Sequence, residues 1–210
     1  MADLEISQYV ISAICGNWWR ESSVNPERFE NDQPVDWHTL NRGYGLGQWT
    51  NTNGDVDGRL WQLHSWVTSN GYTDGDGDGQ LAFLIEENYW TPKTASKYHY
   101  RNLTEFLTST AQNLDYLVWD FLACWEGVTG DHYQERCTYA RKAFLHIQQH
   151  KDDGITYNWI SRAGQLSESE ILNNVMVIYQ RIGKWRPPKK DKMPLWMMLK
   201  KRNVWIPTYY

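Results

Sequence analysis

The chain has 210 residues, 41% of them hydrophobic and 22% charged, with a formal net charge of −4. That apolar content is enough for a buried core and excludes a chain disordered throughout, while the acidic balance argues against a general nucleic-acid binder, whose surface is basic. No apolar run reaches the ~18 residues of a membrane span, and Met1 to Glu5 are polar and acidic, so no secretory signal is visible.

Residues 4–23 read as the first helix. Ile6, Tyr9, Val10, Ala13, Ile14, Asn17 and Trp18 follow the i, i+3, i+4, i+7 spacing, with Asp3 as N-cap, and Pro26 limits the extension. Residues 25–58 lack periodicity and are rich in Gly, Asn, Asp and Pro; the alternation of Gly43, Gly45 and Gly47 predicts tight turns or a small hairpin. Further helices are predicted over 58–69, 80–88, 104–107, 110–126, 132–150 and 170–182, the last behind a Ser167–Glu170 capping box. The fold class is therefore mainly α, with one Gly-rich excursion after the first helix. Beyond it, Lys184–Arg202 carries eight Lys or Arg against the single acid Asp191, a local balance of +7 that leaves −11 elsewhere. This basic, aromatic tail either docks on an anionic partner or a neighbouring subunit, or packs back on its own domain.

The 13 Trp and 13 Tyr far outnumber the 5 Phe. Rings with a polar handle suit surfaces that stack on sugars, and the competing reading is a Trp-rich core. Cys15, Cys124 and Cys137 lie in apolar helical stretches and read as small core hydrophobes, without a disulfide framework or a metal site. In the loop Asp74–Gly79, Asp74, Asp76, Asp78 and Gly79 fit positions one, three, five and six of a calcium loop, but position twelve is Ile85. An acidic loop that caps the next helix is the better reading. His146 and His150 read as a solvated helix face. No cofactor or metal is expected.

Glu21 is the most informative acid. It falls on the apolar stripe of the first helix, after Ile14 and Trp18, near the negative end of the helix dipole. Burial and dipole both disfavour a carboxylate's charged form, and so favour the protonated group that a general acid requires. The Gly43–Thr50 stretch follows closely enough to fold over that helix end. An acid in a partly apolar niche beside aromatic and amide groups is how a glycosidase site is built. The bland alternative is a buried ion pair with Arg59 or Arg42.

The segment Ala13-Ile-Cys-Gly-Asn-Trp-Trp-Arg-Glu-Ser-Ser-Val-Asn-Pro26, followed by Gly43-Tyr-Gly-Leu-Gly-Gln-Trp-Thr50, resembles the phage tail lysozyme family. The Glu21-Ser22 pair and the Gly45-Leu-Gly-Gln48 turn are similar to those of lytic transglycosylases and goose-type lysozymes. Weaker likeness continues at Gly58-Arg-Leu60, Gln80-Leu81, Trp125-Glu-Gly127, Arg136 and Ala140, so that it spans roughly residues 10–147. The resemblance implies a lysozyme-like helical domain over residues 1–150, a helical segment 151–183 packing on it and the tail 184–210. It implies cleavage of the glycan strand of bacterial peptidoglycan between N-acetylmuramic acid and N-acetylglucosamine, by a muramidase or a lytic transglycosylase. Glu21 takes the catalytic acid role, and Ser22, Tyr44, Gln48, Trp49 and Thr50 are the expected sugar-binding residues. The implied setting is a phage tail that opens the wall, with other tail proteins as partners, or an enzyme released at the bacterial cell wall. A non-catalytic glycan-binding or structural tail module of the same fold is the alternative.

The sequence selects no second carboxylate among Asp32, Asp36, Asp55 and Asp57. Glu126 reads as structural, because Gly127-Val128 follows where relatives carry Pro. The helix 170–182 is similar to one that precedes the Glu helix in relatives, so either the helix order is rotated or this segment is an accessory.

Overall fold

The computed structural model describes residues 6–34 and 36–183. The expected Asp3 cap and the basic tail 184–210 lie outside those residues. The described residues form seven α-helices and one two-stranded sheet.

Helix α1 (Gln8–Ser22) starts four residues later than its apolar pattern predicts, because Ser7 caps it: its hydroxyl accepts from Val10 N at 3.3 Å. Every residue from Val10 to Trp19 is buried. A helix covered on all sides is a central helix, and α5 (Leu114–Phe121), α6 (Tyr133–His150) and α7 (Glu168–Ile182) pack around it. The approach of α6 is set by Gly16, where a Cβ would stand 2.6 Å from both Ala140 Cβ and Arg136 O. The two backbones touch there, which fixes the span between the C-terminal turn of α1 and the first turn of α6.

The α1 terminus closes with Ser23 and Val24 in left-handed backbone, their N–H groups returning to Trp19 O and Trp18 O. The excursion that follows contains the expected hairpin: β1 (Gly43–Tyr44) pairs antiparallel with β2 (Trp49–Thr50). Its turn is pinned to the helices. Ser22 Oγ donates to Leu46 O at 2.7 Å, and Leu46 N donates to the buried Gln80 Oε1 at 2.8 Å. Gly47 lies against the ring edge of Trp125; a Cβ there would come 2.3 Å from the indole Cη2.

Helix α2 (Arg59–Ser69) begins at a Gly and takes its cap from a distance: Asn51 Oδ1 accepts from Leu60 N and Trp61 N. Helix α3 (Gly77–Glu87) starts three residues before the apolar pattern does, because Asp76 accepts from the N–H groups of Asp78 and Gly79. Helix α4 (Leu103–Leu107) is one turn long. The predicted helix 110–126 divides. Asn113 caps a start at Leu114, and the last turn, Leu122–Glu126, widens to π geometry before Gly127 ends it. Such turns recur at functional sites.

For the largest rings the core reading of the tryptophans prevails. Trp18, Trp49 and Trp125 are fully buried and meet one another at 5.7–6.2 Å. The three cysteines are buried among these helices. His146 is half-buried against His150, with ring centroids 4.4 Å apart, rather than on a fully solvated face. No helix among the described residues is long and apolar enough to cross a membrane.

Candidate active site

Glu21, on the last turn of α1, lies in a cleft of about 600 Å³ between the helical body and the hairpin. Gln48, Thr50 and Thr52 line it from the hairpin side, Glu126 and Asp131 from the segment between α5 and α6, and Gln165 from the segment before α7. Glu21 retains 28% side-chain exposure, so its carboxylate is reachable from solvent.

Its niche is not the apolar one that its place on the stripe suggests. The Glu21 carboxylate accepts from Arg136 Nη2, and neither Arg59 nor Arg42 is its partner. Arg59 makes a two-pronged contact with Glu87 at 2.8 and 3.2 Å and lies over the Tyr89 and Trp125 rings; Arg42 donates to the carbonyls of Glu30 and Gln33. The Arg136 side chain is wholly buried yet saturated. It donates to Asn17 O at 3.2 Å, Asp131 O at 3.0 Å and Asp131 Oδ2 at 3.2 Å as well as to Glu21. A guanidinium so held keeps its charge and stands directly against the Glu21 carboxylate.

Glu126 shares the cleft. Its Oε1 is buried and has no hydrogen-bond partner among the described residues. Burial first, and then the charge of Glu21, push its carboxyl well above the ordinary glutamate range; Arg136 and Arg59 oppose this and Glu87 adds to it. The sequence reading set this residue aside as structural, whereas the structure places it in the wall of the cleft beside Glu21. The four aspartates weighed as a second acid do not line the cleft. Asp32 pairs with Arg28, Asp36 and Asp55 close local turns, and Asp57 meets His38 at 3.1 Å.

The expected sugar-binding residues separate into two groups. Gln48 and Thr50 line the cleft, the Gln48 amide braced by donation to Arg28 O and Gly45 O and the Thr50 hydroxyl by donation to Gln48 O. Ser22, Tyr44 and Trp49 are buried at 1%, 3% and 0% exposure. Ser22 ties α1 to the hairpin turn, Tyr44 packs between Phe29 and Trp37, and the Trp49 indole donates to Glu87 Oε1 at 3.0 Å. These three hold the hairpin in place and offer no face to a ligand in this arrangement.

Thr52, Glu126, Asp131 and Gln165 are among the cleft residues that sequence reasoning did not assign, and so is Arg136, buried behind the cleft as the partner of Glu21. One signal was present: Arg136 lies on the apolar stripe of its helix with Ala140, Ala143 and Ile147, as Glu21 does on α1. Opposite charges on the buried faces of two helices call for each other.

The calcium reading of Asp74–Gly79 is answered by other partners. Asp74 meets His64 Nδ1 at 2.7 Å, Asp76 caps α3, and Asp78 accepts from Trp159 Nε1 and Arg181 Nε. No group of three or more His, Cys, Asp or Glu among the described residues is placed to hold a metal ion.

No curated protein matches the chain. A family model described as phage tail lysozyme matches residues 1–146, which takes in α1, the hairpin, the Glu126 turn and nearly all of α6. With that span covered and a mainly helical fold around the cleft, the chain belongs to the phage tail lysozyme family.

Proposed function

We propose that this protein cleaves the glycan strand of bacterial peptidoglycan between N-acetylmuramic acid and N-acetylglucosamine, with Glu21 acting at the scissile bond. The observation that carries the reading is the solvent-reachable Glu21 carboxylate in an open cleft that a second glutamate, Glu126, also lines. Glycosidases work with such pairs. Gln48, Thr50 and Thr52 supply amide and hydroxyl groups along the wall opposite, suited to a polar sugar chain. The family description supports a phage tail as the place of work, with neighbouring tail proteins as partners and the cell wall as the target.

The test is mass spectrometry of purified peptidoglycan after incubation with wild type and with Glu21→Gln. This variant leaves Arg136 its contact with Asp131 and is expected to fold, which circular dichroism checks. The expected result is muropeptides with reducing muramic ends from wild type, and at least about 100-fold fewer from the variant. Anhydro-muramic ends would mean that a hydroxyl of the sugar itself attacks, as in a lytic transglycosylase. No fragments from wild type, on walls from several bacteria, would leave a glycan-binding or structural module.

A further inference from the structure

The wall of the cleft is polar almost throughout. Among the described residues that line it, Val128 is the one apolar side chain, and no aromatic ring stands there. Val128 is 43% exposed. An apolar group that faces water gains when a ligand covers it, and this one is held in place to be covered. Its N–H donates to Leu122 O at 3.3 Å, Gly127 before it and Gly130 after it turn in left-handed backbone, and Asp131 beyond them is fixed by Arg136.

Two positions before Val128, Glu126 lines the same wall. Its Oε1 is enclosed and has no hydrogen-bond partner among the described residues. A buried ionised oxygen without a donor costs heavily, whereas a neutral carboxyl carries no charge to stabilise and keeps an O–H to give. The cations near it are committed elsewhere, Arg136 to Glu21 and Arg59 to Glu87. Burial is the largest influence on its carboxyl; Glu21 on α1 and Glu87 on α3 act with burial, and Arg136 on α6 and Arg59 on α2 act against it.

A hydrogen-bond donor and an aliphatic side chain thus stand two residues apart on one turn. The glycan strand named above as substrate carries hydroxyls throughout and an acylamino group on each N-acetylated sugar. In an acyl group the carbonyl oxygen and the methyl sit on the same carbon, so the protein groups that read them must stand side by side. We propose, resting on the glycosidase reading above, that the turn Glu126–Val128 is a subsite for a sugar's acylamino group, with the Glu126 carboxyl donating to the acyl carbonyl and Val128 covering the acyl methyl. Glu126 then holds the sugar, and Glu21 keeps its place at the scissile bond. No proton leaves Glu126 in this role, so an amide in its place still serves and a hydrocarbon does not.

The fold makes the turn rigid, as a subsite that reads one substituent requires. Trp125 beside Glu126 packs between Trp18, Trp49 and Phe121, and its ring edge blocks any side chain at Gly47. The widened turn Leu122–Glu126 ends an otherwise buried helix at the cleft wall.

The experiment uses soluble glycan strands from peptidoglycan, either N-acetylated or stripped and re-acylated with formyl, which keeps the carbonyl and lacks the methyl. Wild type is expected to favour the acetylated strands about fourfold in kcat/KM, the worth of one buried methyl. Val128→Ser brings that ratio close to one. Glu126→Leu lowers turnover of both strands about tenfold with the ratio kept, chiefly through KM, and Glu126→Gln regains most of that loss. A ratio of one in wild type, a Val128→Ser enzyme that keeps the wild-type ratio, or a Glu126→Gln enzyme as poor as Glu126→Leu overturns the proposal. If Glu126→Leu does not fold, the ratio in Val128→Ser and the loss in Glu126→Gln, expected below about threefold, decide. If wild type cleaves neither strand, the glycosidase reading fails, while calorimetric affinities of wild type and Val128→Ser for the same two strands still test the subsite; equal affinities, or no binding, overturn it.

Discussion

Two groups of acids in this molecule invite comparison. In the loop before α3, Asp74, Asp76 and Asp78 are close in sequence and each has found a partner: a histidine, the first N–H groups of a helix, and an indole with an arginine. In the cleft, Glu21 and Glu126 are 105 positions apart by their numbers, and one buried oxygen, Glu126 Oε1, has no hydrogen-bond partner among the described residues. The loop resembles a binding motif and is spent on structure. The cleft has no motif in one stretch of chain, yet it keeps a carboxyl that nothing satisfies. A satisfied acid stabilises a fold, and an unsatisfied one is available for chemistry.

The sharpest way to break this contrast is at Arg136. Replacement by Met removes the cation that neutralises the Glu21 and Asp131 carboxylates, and with it the side-chain bond to the Asn17 carbonyl. Removing one partner of a buried pair costs about 3–5 kcal/mol, and because Glu21 is partly exposed the lower end, about 3 kcal/mol, is expected in urea unfolding. A loss below about 1 kcal/mol would show that the pair does not anchor α1 to α6.

A subtler effect is the pH dependence of stability. The Glu126 carboxyl is raised in the folded state, first by burial and then by the charge of Glu21. Its contribution is full below the unfolded value near 4.5 and is lost as pH rises through the folded value. Subtracting the unfolding curve of Glu126→Gln from that of wild type isolates this slope. Glu170 carries the opposite sign: Arg162 and then Ser167 hold it at about 2, so its contribution is present above pH 4.5 and is lost as pH falls toward about 2. A flat difference curve for Glu126 would place it among the satisfied acids.

The smallest effect belongs to the loop. Asp78→Ala removes the acceptor of Trp159 Nε1 and Arg181 Nε, both partly exposed contacts, and should cost about 1 kcal/mol with wall cleavage retained. A collapse of cleavage in that variant would tie the loop to the cleft after all.

Much of the scaffold was legible because it follows local rules. The apolar stripes gave the helices to within a few residues, and the spaced glycines gave the hairpin. The shifts at Gln8, Gly77 and Leu114 arise where a Ser, Asp or Asn cap overrode the apolar pattern. The cleft was legible only in part. Glu21, Gln48 and Thr50 lie on segments that are near one another in the chain. Arg136 and Glu126 reach Glu21 only because α5 and α6 pack on α1, and no spacing in one stretch encodes that. Trp49 and Tyr44 misled for another reason: a ring with a polar handle serves a wet sugar surface and a buried hydrogen bond equally well, and here Glu87 takes the Trp49 N–H.

The family match ends at residue 146, but the grip on the turn that follows Glu21 does not. Asn25 donates to the carbonyls of Arg162 and Gly164, both at 2.8 Å, and Asn174 on α7 donates to Val24 O at 2.9 Å and Ile160 O at 2.7 Å. Val24, a β-branched residue, is kept in left-handed backbone where that grip closes. A chain cut near residue 146 would lose these four bonds at once and free the strained turn to relax, moving the last turn of α1 with it. For anyone transplanting this cleft into another scaffold, the portable unit therefore runs through Ile182.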